Sequence, residues 1–332
     1  MTAIHRRCAA KRLATASLAL WLQRPLKGLS ADEPSGSPAE SDQDTGTPLP
    51  YLDRLGLQLY TVRNQMADNP DATLQAVADA GYQQVELMRV DEDAVRLAAI
   101  ARDKGLLVHS AFIDFNVITE PSLQGIGTVE QTLELAERIG LRHVVFGYIA
   151  RHQRDTLDKC KAIADRANDA AQKTRQAGMR MCYHNHAFEF GPLKSSRDEK
   201  KSVAPGDQKK STVTAFDVFT QRFDPQVMEF ELDVFWARLA GKDPIELMKR
   251  LSGRISQVHL KDLKAGTDVI FDEAKVPKDA FQEIGDGVIE MRQVMRLARD
   301  IGVDQCHVEQ DQSPAPLDSI RQSAEYLLGK AS

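Results

Sequence analysis

Cysteine is scarce in this sequence and never paired in a motif: Cys8, Cys160, Cys182 and Cys306 are widely separated and form no C-x-x-C. That spacing excludes a zinc ribbon and offers no disulfide framework. No apolar run reaches the roughly 18 to 20 residues that a membrane-spanning helix needs. Nor is there an excess of basic charge. Lys plus Arg number 43 against 48 Asp plus Glu, a formal net charge of -5, so nothing in the electrostatics calls for nucleic acid or an anionic membrane as partner. The first apolar segment of the folded region, Leu55-Gly56-Leu57-Gln58-Leu59-Tyr60-Thr61, has no G-x-G-x-x-G, which argues against a dinucleotide-binding open sheet. What remains is a chain of 332 residues, 42% hydrophobic and 27% charged, with ordinary globular composition. Its length suits one α/β barrel or two smaller domains.

The first fifty residues read differently from the rest. His5 to Arg12 is basic, Leu13 to Leu22 is a short apolar segment, and Ala31 can precede a cleavage point. This is the order of an export signal, and Arg6-Arg7 loosely matches a twin-arginine type, so residues 1–31 are expected to send the protein to the periplasm. If the leader is not a signal, the protein stays in the cytoplasm. Residues 32–50, DEPSGSPAESDQDTGTPLP, contain almost nothing that packs and are expected to be a disordered linker. The folded domain is then 51–330.

From Leu55 onward, short apolar strands alternate with segments of helical period, many of them stopped by glycine. Strands are predicted at Leu55 to Tyr60, Gln84 to Met88, Leu106 to Phe112, Leu141 to Gly147, Met181 onward, Met228 to Asp233, Ile255 to Leu260 and Val303 to Glu309. Eight strand-helix units in this length are what a (β/α)8 TIM barrel requires. In such a barrel the chemistry sits at the C-terminal ends of the strands.

The polar residues fall at those ends. Met181-Cys182-Tyr183-His184-Asn185-His186-Ala187-Phe188-Glu189 closes an apolar run with two histidines on one face and a carboxylate one turn on. Strand six ends Glu231-Leu232-Asp233, strand seven Gln257-Val258-His259-Leu260-Lys261-Asp262, and strand eight His307-Val308-Glu309-Gln310-Asp311. Polar and apolar residues alternate there, so one set faces the barrel axis. A charge pointed inward needs a partner or a metal, because burying it bare costs several kcal/mol. Imidazoles and carboxylates converging in this way suit a divalent ion. Structural roles are open for the same residues. Asp233 suits the N-cap of the next helix, Glu309 an ion pair with Lys261 or Arg180, Glu86 an ion pair with Arg89 or Arg63, and Lys261 the neutralisation of Asp262.

The segments YHNHAFEF, ELDVFW, VHLKD, EIGDGVIEM and HVEQDQSP resemble those of the sugar phosphate isomerase/epimerase group within the xylose isomerase-like barrel superfamily. The resemblance covers roughly residues 53 to 330. It implies one divalent metal, manganese first and otherwise cobalt, zinc or magnesium, held by His184, Asp233, His259 and Glu309. It also implies an isomerase or epimerase working through an enediolate on a small-molecule sugar or polyol ketone. Glu309 or Glu189 would be the base, and Lys261 or His186 the group that returns the proton or steadies the oxyanion. The departures matter. His184 stands where ketose epimerases of the group carry a glutamate base, and Trp236 where they carry a substrate-binding histidine, which puts two-base epimerisation in doubt. Loss of a β-leaving group from the same intermediate would give a lyase or dehydratase acting on a 3-keto-sugar or keto-glycoside. A non-catalytic carbohydrate-binding barrel is the remaining alternative. An endonuclease of the superfamily is disfavoured by the acidic charge balance. A segment from Lys194 to Thr212 is expected to lengthen the loop after strand five into a lid. Association into a homo-oligomer is expected of such barrels.

Overall fold

The computed structural model describes residues 49–193 and 213–329. The leader, nearly all of the linker and the expected lid between Lys194 and Thr212 lie outside the described residues. Eight parallel strands close into a barrel: β1 Gly56–Gln58, β2 Gln84–Leu87, β3 Leu107–Phe112, β4 His143–Phe146, β5 Arg180–His184, β6 Met228–Asp233, β7 Ile255–Leu260 and β8 Gln305–Val308. Each pairs with its chain neighbours, and β8 pairs with β1 to close the ring. The (β/α)8 expectation is met.

Helices cover the barrel because the outward strand positions are apolar. Leu57, Val85, Val108, Val144, Met181, Phe230, Val258 and Cys306 are all buried against the helical layer. Helix starts follow the local chemistry. Thr156 caps Leu157–Gln176 by accepting from the Lys159 N–H, and Thr128 with Gln131 forms a capping box at Val129–Ile139.

The interior is the unusual part. Barrel cores of this kind are dominated by Val, Ile and Leu, whereas here the inward positions of β2, β6, β7 and β8 carry Glu86, Glu231 and Asp233, Gln257 and His259, and His307, every one of them buried. The strand register stacks these residues in layers: His259 lies level with Asp233 on one side and His307 on the other, and Glu86 lies level with Gln58. Gly56 leaves the space that the His307 ring fills, since a Cβ there would lie 2.3 Å from His307 Cδ2.

Several elements differ from the sequence expectation, each for a local reason. Strand one ends at Gln58 rather than Tyr60, because the Gln58 side chain accepts from the Tyr60 N–H and opens a 3-10 turn over Leu59–Val62. Helices Arg63–Asp68, Asn116–Thr119 and Val234–Leu239 are too short to show a helical period. Beyond β7 the chain makes a small antiparallel pair, Asp262–Leu263 with Phe281–Gln282.

Asp262 holds that excursion in place. Its two oxygens accept from the backbone N–H groups of Leu263, Gly285, Gly287 and Ile289 at 2.9 to 3.1 Å. Gly285 has φ of 99°, and a Cβ on Gly287 would lie 2.1 Å from Asp262 Oδ1, so both glycines in EIGDGVIEM are required by the latch. Lys261 therefore has no neutralising role toward Asp262. Replacing Asp262 with alanine leaves four backbone donors, those of Leu263 and Ile289 buried, without their acceptor and is expected to destabilise the fold by about 3 kcal/mol. Urea denaturation followed by circular dichroism measures this, and an unchanged midpoint would show that the latch is dispensable.

Candidate active site

The strand ends open into a cavity of about 520 Å³. Gln58, His184, His186, Lys261, Glu309 and Asp311 contribute its polar lining, and Tyr148, Trp236 and Phe281 form an aromatic wall.

Two histidines are held in defined orientations by carboxylates beneath them. His259 Nε2 lies 2.8 Å from Glu86 Oε1 and 3.3 Å from Glu231 Oε1. An Nε2–H donated to this pair turns Nδ1 toward the mouth. Burial opposes a charge on the ring, yet Glu231, Glu86 and Glu309 outweigh it and hold the ring protonated, so Nδ1 offers a lone pair only when a cation displaces its proton. His184 Nδ1 lies 3.2 Å from Glu231 Oε2, which by the same argument leaves Nε2 as the free nitrogen. Burial, then the neighbouring His259, pushes the His184 imidazole well below its usual range, so it is neutral.

The carboxylates beneath are themselves fixed. Glu86 accepts from Gln58 Nε2 at 2.8 Å and from the Ser110 hydroxyl, and Gln257 Nε2 donates to Glu231 at 2.9 Å and to Ser110 at 3.0 Å. Glu86 and Glu231 cannot both be bare anions in this space. Burial, reinforced by the Glu86 charge, drives the Glu231 carboxyl up. Burial works the same way on Glu86, but His307 and His259 outweigh it and hold Glu86 ionised. Glu86 therefore orients His259 rather than pairing with Arg89 or Arg63.

Above the histidines lie Asp233, Glu309, Lys261 and Asp311. Asp233 has two roles on its two oxygens. Oδ1 accepts from the Trp236 N–H at 2.8 Å and caps Val234–Leu239, while Oδ2 is fully buried without a hydrogen bond. Lys261 Nζ approaches that oxygen to 3.3 Å, within ion-pair reach but without hydrogen-bond geometry. Glu309 Oε2 lies 2.9 Å from His259 Nδ1 and 2.7 Å from Lys261 Nζ, and Asp311 Oδ1 lies 3.0 Å from Lys261. Burial opposes a charge on Lys261, yet Asp233, Asp311 and Glu309 hold it firmly protonated. Arg180, the alternative partner for Glu309, sits at the other end of the barrel beside Glu229 and Asp304.

The four expected metal ligands come together. Donor atoms of His184, Asp233 and His259 lie within 4.8 Å of one another, and Glu309 touches His259. The residues fit a divalent cation on three counts. Asp233 Oδ2 is a buried acceptor with no hydrogen-bond donor. Two imidazoles and two carboxylates are a donor set suited to zinc, manganese or cobalt. Asp233, Glu309 and Asp311 also share the single ammonium of Lys261, an excess of carboxylates that a cation relieves.

His186 lines the cavity, stacked on Phe188 with centroids 5.0 Å apart and 5.2 Å from the Trp236 ring. Its Nδ1 has no partner, and burial pushes its imidazole down to about 3. Glu189 departs from the expectation. Rather than folding back over the mouth, it is buried in the wall, accepts from the Tyr183 hydroxyl and takes the His186 N–H at 2.8 Å. The 3-10 turn Phe188–Phe190 carries it there, so Glu189 positions the His186 backbone and does not line the cavity. Sequence reasoning placed Asp311, Glu231 and Gln257 among the polar strand-end residues without giving any of them a role in the site. The signal was present: Glu231, Gln257 and His307 each precede Asp233, His259 and Glu309 by two residues, which on a strand means the same face one layer down.

The chain is thus a closed α/β barrel with histidines and carboxylates gathered at its C-terminal mouth. Residues 74–329 match the family described as xylose isomerase-like TIM barrel, and the chain belongs to it. Among proteins of known name, it is 24% identical over 285 residues to an inosose dehydratase of Geobacillus kaustophilus, covering 77% of this chain and 86% of that one. An inosose dehydratase of Clostridium tetani matches at 25% over 186 residues, only 56% of its length. Among solved structures, a sugar phosphate isomerase/epimerase of Parabacteroides distasonis superposes with a TM-score of 0.66 at 21% identity, over 87% of this chain and 97% of the other. The IOLI protein with a bound zinc atom superposes at 0.57 and 14% identity, over 83% and 98%. These superpositions show a shared fold.

Glu86→Gln exchanges the ionised carboxylate that orients His259 for a neutral, weaker amide acceptor and is expected to weaken divalent-metal affinity about 10- to 100-fold with the fold intact. His259→Ala should abolish tight binding. Mass-spectrometric metal content with chelator competition measures both, and a Glu86→Gln protein that binds as tightly as the parent would sink the orienting role.

Proposed function

We propose that this protein is a divalent-metal-dependent enzyme that removes the proton next to a ketone on a sugar and expels a β-oxygen substituent, a dehydratase or lyase. One observation carries the reading. Glu309, with Asp311 beside it, stands on one side of the cavity as the candidate base, and across from it stand the neutral imidazoles of His184 and His186 where a second carboxylate would be needed for symmetric two-base epimerisation. Elimination needs only one base. Similarity to inosose dehydratases points the same way.

His184, Asp233, His259 and Glu309 would hold the cation, which supplies positive charge beside the ketone oxygen and so acidifies the adjacent C–H. Glu309 takes that proton. The Lys261 ammonium, kept charged by its carboxylate neighbours, steadies negative charge developing on the ketone oxygen. As the β C–O bond breaks, the departing oxygen leaves with its electron pair and receives the proton that Glu309 holds. His186, anchored between Phe188 and Trp236, hydrogen-bonds a ring hydroxyl and fixes the sugar's orientation. The aromatic wall covers the apolar face of the ring and excludes water.

Incubating the metal-loaded protein with keto-sugars and their glycosides in deuterium oxide tests this. Elimination appears in the NMR spectrum as an enone with release of water or alcohol, and Glu309→Gln should slow it at least about 100-fold. Solvent deuterium at the α-carbon without release would identify an isomerase or epimerase sharing the first step. Sugar binding with neither exchange nor release would leave a binding protein.

A further inference from the structure

The opposite end of the barrel holds a second cavity of about 550 Å³. His143 and Gln305, the first residues of β4 and β8, form its buried floor, and Arg54, Arg142, Arg180 and Asp304 form its rim. Three guanidinium groups thus face one carboxylate, in a chain whose net charge is -5. Arg180 is engaged by Glu229 at 2.7 Å and by Asp304. Arg54 lies over the Tyr51 ring, 5.0 Å from its centroid, and neither it nor Arg142 meets a carboxylate among the described residues.

The floor is under-satisfied as well. His143 is 2% exposed; its Nδ1 makes no hydrogen bond, and its Nε2 reaches only Asp304 Oδ2, at 3.3 Å. His109 Nδ1, in the same cavity, is also without a partner. Buried imidazole nitrogens normally have partners, and leaving one unbonded is unfavourable by about 1 to 3 kcal/mol. A ligand that accepts from imidazole N–H groups at its base and from guanidinium forks at its rim is an oxyanion. The catalytic mouth cannot take such a ligand's charge without its cation, because carboxylates crowd it.

We propose that this basal cavity is a binding site for a phosphate group, free or carried by a small metabolite, separate from the catalytic mouth. The cavity is larger than the ion itself requires, so a phosphorylated sugar fits with its phosphate against His143, Arg54 and Arg142. Arg54 and Arg142 are exposed rim residues outside the strands, and replacing them leaves the core untouched.

The test is isothermal titration of the full chain at constant ionic strength with inorganic phosphate, a hexose phosphate and the unphosphorylated hexose. One saturable site per chain is expected for a phosphate-bearing ligand and none for the bare hexose. Arg54→Ala and Arg142→Ala should each weaken binding about tenfold or more, while Glu309→Gln in the mouth leaves it unchanged. Equal affinity for phosphate and hexose phosphate would assign the site to the free ion, and tighter hexose phosphate binding would assign it to a phosphomonoester. Absence of saturation by about 10 mM, binding that survives the double arginine variant, or binding lost in Glu309→Gln would overturn the proposal.

Discussion

The contact between His259 Nε2 and Glu86, deep on the barrel axis, is the constraint on which the rest of the mouth depends. An imidazole on a strand end can offer either nitrogen, and only a buried acceptor below decides which one faces the cavity. Because that acceptor is an ionised carboxylate buried from solvent, it needs hydrogen-bond donors of its own. Gln58, Ser110 and Gln257 supply them to the carboxylate layer. The polar barrel core follows from this requirement. One catalytic orientation at the mouth obliges β1, β2, β3, β6 and β7 to spend inward positions that a structural barrel would fill with aliphatic side chains. The two carboxylates beneath the histidines are tolerable there because each has donors of its own, Glu86 from Gln58 and Ser110 and Glu231 from Gln257.

The histidine at position 184 changes what such a mouth can do. A carboxylate there would face Glu309 as a second base of like kind. The neutral imidazole, with one nitrogen turned to Glu231, can lend a lone pair but cannot carry a proton back and forth at neutral pH. On the proposed reading, this asymmetry favours removal of a substituent beside the stereocentre over inversion of the stereocentre itself. Lys261 adds to the asymmetry, because its charge is concentrated on the Glu309 and Asp311 side of the cavity.

Much of this was readable from residue order. The eight strand-helix units, the bounds of Met228–Asp233 and Ile255–Leu260, and the meeting of His184, Asp233, His259 and Glu309 all follow from alternation on short strands, where side-chain direction is fixed by parity. Parity also encoded the lower layer of Glu231, Gln257 and His307. What parity cannot encode is direction after a strand ends. Glu189 lies five residues past His184 and was free to swing either way until Tyr183 and the His186 N–H claimed its oxygens. The latch around Asp262 was hidden for a related reason: its four donors come from backbone more than twenty residues away, except for Leu263, and backbone donors leave no mark in a sequence beyond the glycines that make room.

The two ends of the barrel are electrostatic opposites, and the strands connect them. At the mouth, inward carboxylates outnumber ammonium groups and call for a cation; at the base, arginines outnumber carboxylates and call for an anion. The polar layers between them form a nearly continuous column from Gln305 through His307 to Glu309 on β8 and its extension. Gly56 sits beside that column, leaving His307 the room to stand between the two ends with neither nitrogen committed. An imidazole so placed can turn without breaking a hydrogen bond.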